Sequence, residues 1–283
     1  MYKGTIGLDI DGTITDARHL ISDATKEYLS SLYQEGWKIV FITGREFFYA
    51  IHALSGIDFP YYLAVQNGAD LIEMPTRVHL KSFYFDSNVV SAFERLFTEM
   101  NQDFLLYSGY QRGDFCYFRP NRNLDEIKGH LEAMQKRSFL PWREVESFDL
   151  LEQQSFPMIK AIGFEKDFNL VEKKIKKECD VHCVSIKDPK TTYFHYLLAT
   201  HSKASKKHAL EFFMNSYNLP RPLIVGGDDN NDRDSLLFAD VKVVMENAPK
   251  DMHAFADVIA PLSVHDGIIA GLNQATKIAK NKV

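Results

Sequence analysis

The sequence predicts an α/β protein whose parallel-sheet core is broken by a large α+β insertion, and three observations carry that expectation. A short apolar run, Gly4-Thr5-Ile6-Gly7-Leu8, ends in the acidic turn Asp9-Ile10-Asp11-Gly12-Thr13 and is followed by a helix pattern and a second apolar run. Residues 81–199 change character, with aromatic-rich strand-like pieces between amphipathic helices. The alternating pattern then resumes from residue 200.

At 283 residues the chain is long for one simple core, so a domain with an insertion, or two domains, is expected. Hydrophobic content of 45% and charged content of 25% belong to an ordinary globular protein. No apolar run approaches the roughly 20 residues that would span a membrane. Asp9 and Asp11 interrupt the N-terminal segment before a signal region could form, so a cytoplasmic protein is expected. The net charge of -5 argues against a general nucleic-acid binder, which needs a basic surface. Cys116, Cys179 and Cys183 are too few for a disulfide framework and suit a reducing compartment. The group Cys179, His182, Cys183 lacks a fourth metal ligand nearby and reads as ordinary packing.

The elements follow in order. On a strand, side chains at i and i+2 share a face, so a strand continuing through the acidic turn would aim Asp9 and Asp11 into one pocket. Gly12 permits a sharp turn, and Thr13 offers a hydroxyl and an amide to an anion. Ser22-Asp23 starts a helix with the stripe Tyr28, Leu29, Leu32, Tyr33, ended by Gly36. Trp37 to Ile42 is a second strand finishing in Thr43-Gly44-Arg45, which makes a parallel βαβ unit. Both strand tips then lie along one sheet edge, where open α/β sheets bind ligands. Thr43 and Gly44 can donate to a phosphate oxygen; Arg45 either touches the anion or forms an ion pair behind the site. A third strand, Tyr61 to Val65, ends in Gln66-Asn67-Gly68-Ala69 and makes Asn67 a pocket candidate.

Within the insertion, strand-like runs fall at Phe104 to Ser108, Phe115 to Phe118, Met158 to Phe164, Asp180 to Ile186 and Thr192 to Leu198. Helical stripes are Val89, Val90, Phe93, Leu96, Phe97 and Phe168, Val171, Ile175. The lysine-rich run from Glu172 to Glu178 reads as a solvated helix face.

After residue 200, Ser205 to Asn215 reads as a helix with Lys206 in its first turn. A cation there opposes the helix dipole, which favours a functional reading of Lys206, with Lys203 and Lys207 as neighbours in competition. Pro222 to Gly226 is a buried strand ending in Gly227-Asp228-Asp229-Asn230-Asn231-Asp232, a second acidic tip that lacks the glycine and glutamate of an EF-hand. Val241 to Val244 and a helix over about 265–279 complete the pattern.

Asp9, Asp11, Asp228 and Asp232 thus converge with a lysine and a hydroxyl-glycine turn. Their repulsion calls for a divalent ion, and an all-oxygen site that shares a phosphate oxygen favours Mg²⁺. Asp9 could then attack phosphorus as a nucleophile, giving an aspartyl-phosphate. Asp11 could protonate the leaving oxygen and later activate water, provided that neighbouring carboxylates raise its pKa.

Asp-Ile-Asp-Gly-Thr, Ile-Thr-Gly-Arg, Lys206 within Ser-Lys-Lys-His-Ala-Leu, and Gly-Asp-Asp-Asn-Asn-Asp resemble the four ordered motifs of the haloacid dehalogenase-like hydrolases. With Gln-Asn-Gly-Ala and Met245-Glu246-Asn247-Ala248, the chain is similar over essentially its full length to the Cof-type branch. The resemblance implies a Rossmann-like core over 1–80 and 200–283, and an inserted type IIB (C2B) cap over 81–199 that sets substrate specificity. It implies a Mg²⁺-dependent phosphatase acting on small phosphorylated metabolites, often sugar phosphates, as a monomer or homodimer with no nucleic-acid or membrane partner. Asp9 would be nucleophile and metal ligand, and Asp11 the acid/base, binding metal through its carbonyl. Asp228 would be a metal ligand and Asp232 a ligand or a supporting acid. Thr43, Gly44 and Lys206 would hold phosphate, with Asn231 supporting phosphate or Lys206. Lys207 replaces a usual glycine and Ser235 a common methionine. A phosphomutase of the same fold, a receiver-type signalling module and a non-catalytic phosphometabolite binder are the competing readings; the receiver would need neither Asp11 nor the insertion.

Overall fold

A computed structural model describes residues 3–120, 122–151, 155–188 and 193–281. The chain forms two compact units, one of Met1–Arg45, Tyr49–Lys81 and Ser205–Val283, the other of Glu46–Phe48 and Ser82–Ala204.

The first unit is built on an eight-stranded sheet in the order Val258–Ala260, Val241–Met245, Leu223–Gly227, Gly4–Leu8, Trp37–Ile42, Tyr61–Val65, Asp70–Met74, Val78–Ser82. The first six run parallel, and every residue of Gly4–Leu8 is buried between its two neighbours. Such strands read as unbroken apolar runs because helices cover both faces. The helix Asp23–Gln34 begins at Ser22, whose Oγ accepts from the Thr25 amide at 3.0 Å. It buries Leu29 and Leu32, while Tyr28 and Tyr33 stay half-buried. On the other side of the sequence, the helix Gly267–Lys280 packs on three strands through Gly271, where a Cβ would come within 2.7 Å of the Ala260 Cβ.

One part of this sheet was not expected. Asp70–Met74 turns back antiparallel to Tyr61–Val65 and is followed by the edge strand Val78–Ser82. The run opens on an acid, which hides it as a strand; Asp70 is fully buried with His79 Nε2 3.1 Å away, a partner no local pattern supplies.

The second unit has its own six-stranded sheet, ordered Val181–Lys187, His195–His201, Met158–Gly163, Phe104–Tyr107, Cys116–Phe118, Trp142–Glu144. All neighbours are antiparallel except the last pair. Of the strand expected from Thr192 onward, Thr192 lies outside the described residues. Helices Ser87–Glu99 and Glu165–Glu178 pack together over one sheet face, burying Phe93, Phe97, Phe104 and Phe168 in one cluster. Each such ring stabilises the unit by about 1.5–3 kcal/mol before ordering costs. Cys183 is buried in this cluster and Cys179 packs against it, while His182 is exposed. The helix Asp125–Arg137 was not anticipated: it buries only Ile127 completely, leaving a stripe too thin to read. No helix among the described residues is long and apolar enough to cross a membrane.

Candidate active site

In a parallel sheet the residues after each strand fall on one edge, and here they are Asp9 after Leu8, Thr43 after Ile42, Gln66-Asn67 after Val65, and Asp228 after Gly227. The two acidic tips meet at Gly12. It has φ +73°, and a Cβ on it would come within 2.1 Å of Asp228 Oδ2, so no side chain fits. Thr13 Oγ donates to Asp9 Oδ2 at 3.3 Å and lies 3.5 Å from Asp228 Oδ1.

Lys206 closes the arrangement from the first turn of the helix Lys206–Ser216, which Ser205 caps by accepting from the His208 amide at 3.2 Å. Its buried Nζ donates to Asp9 Oδ1 at 2.5 Å and to Asp232 Oδ1 at 2.7 Å. Burial alone would lower the pKa of this amine, but Asp232 and Asp9 together raise it above the usual lysine range. Those two acids offset the helix-dipole penalty expected at this position.

Oxygens of Asp9, Asp228 and Asp232 all lie within 4.8 Å of one another. Burial holds the Asp9 carboxyl well above the usual range; Lys206 opposes this, while Asp232 and Asp228 add to it. Burial and then Asp232 push Asp228 up to about 7, against Lys206 and the 2.8 Å hydrogen bond donated by Asn247 Nδ2. One ammonium is too little charge for three acids. The donor set is all oxygen, close and short of cations, which fits a divalent metal. Asp232 differs from the others: Oδ1 accepts from Lys206, and Oδ2 accepts from the Asp228 and Asp229 amides at 3.1 and 3.2 Å.

Asp11 departs from expectation. The strand ends at Leu8, so Asp9 and Asp11 do not alternate on it, and the Asp11 carboxylate is not part of the three-acid group. Arg45 takes it instead, with Nε donating to Oδ2 at 2.6 Å and Nη2 to Oδ1 at 2.5 Å, while His19 Nδ1 lies 3.3 Å from Oδ1. Burial pushes this carboxyl up, but the Arg45 hydrogen bonds and charge, with His19, outweigh it and hold the pKa below the ordinary value. The expected rise is thus reversed, because the neighbour that counts is a guanidinium. Arg45 is buried, its guanidinium stacked 3.8 Å from the Tyr49 ring centroid. Of its two expected roles it holds the ion pair.

Thr43 is buried, and its Oγ accepts from the Arg45 amide at 3.1 Å; its carbonyl accepts from Asn67 N at 2.8 Å. Asn67 Oδ1 would lie 3.3 Å from a Cβ at Gly44 and has no hydrogen-bond partner among the described residues, so Asn67 stands beside the Thr43-Gly44 turn. Asn231 is exposed, and Lys206 is held by Asp9 and Asp232; among the described residues Asn231 does not support Lys206. Asn247 and His19 are the contacts that sequence reasoning missed. Asn247 sits in the Met245-Glu246-Asn247-Ala248 segment after a parallel strand, a position that could have flagged it.

A family model described as haloacid dehalogenase-like hydrolase matches residues 6–272. The chain belongs to that family. Among relatives of this haloacid dehalogenase-like hydrolase is phosphatase YwpJ of Bacillus subtilis, 23% identical, the alignment covering 93% of this chain and 96% of that protein. A haloacid dehalogenase-like hydrolase from Bacteroides thetaiotaomicron superposes with a TM-score of 0.77 at 22% identity, covering 97% of this chain and 99% of that one. A HAD subclass IIB sugar phosphatase does so at 0.72 and 18% identity, over 96% and 98%. The α/β core with its separately inserted sheet is therefore the subclass IIB fold. Where this family member departs from common motif residues, local contacts accommodate the change: the Ser235 hydroxyl donates to the Asp232 carbonyl at 2.7 Å, and Lys207 reaches Glu211 at 3.5 Å.

Proposed function

We propose that this HAD-family phosphatase hydrolyses phosphomonoesters of small metabolites, sugar phosphates above all, through an aspartyl-phosphate on Asp9, with Mg²⁺ as cofactor. The observation that carries this reading is Lys206 Nζ bridging Asp9 and Asp232, with Asp228 completing a carboxylate group within 4.8 Å.

Asp9 Oδ attacks phosphorus as the ester P–O bond breaks, and Lys206 gathers the negative charge of nucleophile and phosphate. Thr43 and Gly44 receive the phosphate oxygens, and Asn67 lies beside that turn. The leaving oxygen takes a proton from Asp11. Asp11 then removes a proton from the attacking water, which expels Asp9 and frees inorganic phosphate. Because Arg45 and His19 keep the resting Asp11 ionised, it is set for the water step, and the acid step requires it to loosen from Arg45. Asp9 and Asp228, with the Asp11 carbonyl and Asp232 as further candidates, would hold Mg²⁺, which supplies charge neutralisation when bound. Asp232 also accepts from Lys206 and the Asp228 amide, and so fixes both. The inserted unit supplies substrate selection.

Hydrolysis of p-nitrophenyl phosphate tests the reading. Turnover is expected with Mg²⁺ and lost on chelation; metal-independent turnover would overturn it.

A further inference from the structure

The inserted unit holds a cleft of about 380 Å³ between the helix Asp125–Arg137 and the strands Phe104–Tyr107, Cys116–Phe118 and Trp142–Glu144. Every residue that lines it belongs to that unit, and none has a part in the phosphate chemistry above. The helix rests on its neighbours through Ile127, with Leu124, Leu131 and Met134 packed around it at helical spacing. The adjoining stripe, Lys128, Glu132 and Gln135, keeps the same spacing but is polar, so it lines the cleft and does not close it. On the sheet side stand Phe118 and Trp142, both half-buried, their rings edge to face at 5.5 Å.

The charges around the cleft narrow what it can take. Arg119 lines it, but Asp103 accepts from its Nε and Nη2 and Glu94 from its Nη1. Lys128 Nζ donates to Asp125 Oδ1 at 2.7 Å. Both cations are thus already paired, which disfavours an anionic ligand, and their presence disfavours a cationic one. The side chains of Glu132 and Gln135 are exposed and make no hydrogen bond or ion pair among the described residues. A carboxylate only accepts, so Glu132 suits a neutral N–H donor, while the carboxamide of Gln135 can donate or accept. A volume of this size with an aromatic floor and a few polar groups at its rim suits one flat small molecule.

We infer that this cleft binds a neutral purine nucleoside, its base stacked on Trp142, its N–H donors turned to Glu132 and its remaining polar groups to Gln135. Stacking on an aromatic side chain with hydrogen bonds along the base edge is the usual way an unpaired base is held. The site is a second one, and its occupancy is measured by binding, so the result does not depend on the phosphatase reading.

Guanosine, whose base carries adjacent N–H donors, and caffeine, a purine with none, would be titrated into the full-length protein by calorimetry and tryptophan fluorescence. The chain has two tryptophans, and Trp37 is 1% exposed, so a ligand-dependent change in emission reports Trp142. Guanosine is expected to saturate the protein with a Kd below about 1 mM and to quench that emission, with caffeine about tenfold weaker or more. Glu132→Gln, at an exposed position, should weaken guanosine about tenfold and leave caffeine unchanged. Trp142→Leu, checked for folding by thermal melt, should weaken both ligands about tenfold or more. No saturation by guanosine, equal affinity for guanosine and caffeine, or a Glu132→Gln variant that binds guanosine as wild type does would each overturn the inference.

Discussion

In the inserted unit the buried Arg119 donates Nε and Nη2 to the two oxygens of Asp103 at 2.9 and 2.6 Å, pairs with Glu94, and lies 4.0 Å over the Phe148 ring centroid. In the first unit the buried Lys206 also lies between two acids, Asp9 and Asp232, but Asp228 stands with them as a third. The planar guanidinium meets Asp103 bidentately, occupying both of its oxygens, and turns Nη1 to Glu94. The lysine is a point charge that leaves its acids under-neutralised, and Asp9 and Asp228 are pushed up as a result. A closed ion cluster holds a fold together; one left short of positive charge can receive a cation and a phosphate.

The largest effect expected from testing this contrast is at Asp9. Asp9→Asn keeps the shape but removes the nucleophile, so phosphatase turnover should fall by about three orders of magnitude or more while the fold survives. A normal rate in that variant would remove the nucleophilic role. Next come the two cations. Arg119→Met should cost about 3–5 kcal/mol of stability by denaturant titration, because it strands a buried acid. Lys206→Met should lower kcat about 10²–10³-fold yet cost less stability than Arg119→Met, since Asp9 is already disposed to accept a proton. Equal losses of stability would break the comparison.

Proton linkage gives a smaller effect. The folded Asp228 carboxyl is raised from 3.8 to about 7, so the folded state holds its proton more tightly than the unfolded chain. The stability this contributes is full at pH below the unfolded value and is lost as pH rises through about 7. With chelator present, the melting temperature should therefore fall as pH rises through neutrality. Asp228→Asn should flatten that fall, and Mg²⁺ should raise the melting temperature more above pH 7 than below it. The smallest effect is expected from Asn247→Ala, which removes one hydrogen bond to Asp228. Titration calorimetry should register a loss in Mg²⁺ affinity of about tenfold.

Much of the core was legible because it is local. Trp37–Ile42 and Tyr61–Val65 lie where their apolar runs lie, and the Asp, Thr and Gly residues that end such runs marked the functional edge. The inserted sheet was legible from its aromatics. What failed were segments whose partners are remote. The Asp70–Met74 strand needs His79 for its buried acid, and the helix Asp125–Arg137 rests on Ile127 against Ile162 and Phe194.

By itself, then, the sequence determined which acids stand at strand tips, which lysine opens a helix, and that a second core interrupts the first. Only the tertiary structure decided the charge each group carries and with whom. Asp9 and Asp11, two positions apart, are driven in opposite directions, one by burial among acids and the other by Arg45, 34 residues away. The physical reason is that apolar periodicity and turn chemistry are written in neighbouring residues, whereas desolvation and ion pairing depend on which distant groups folding brings together.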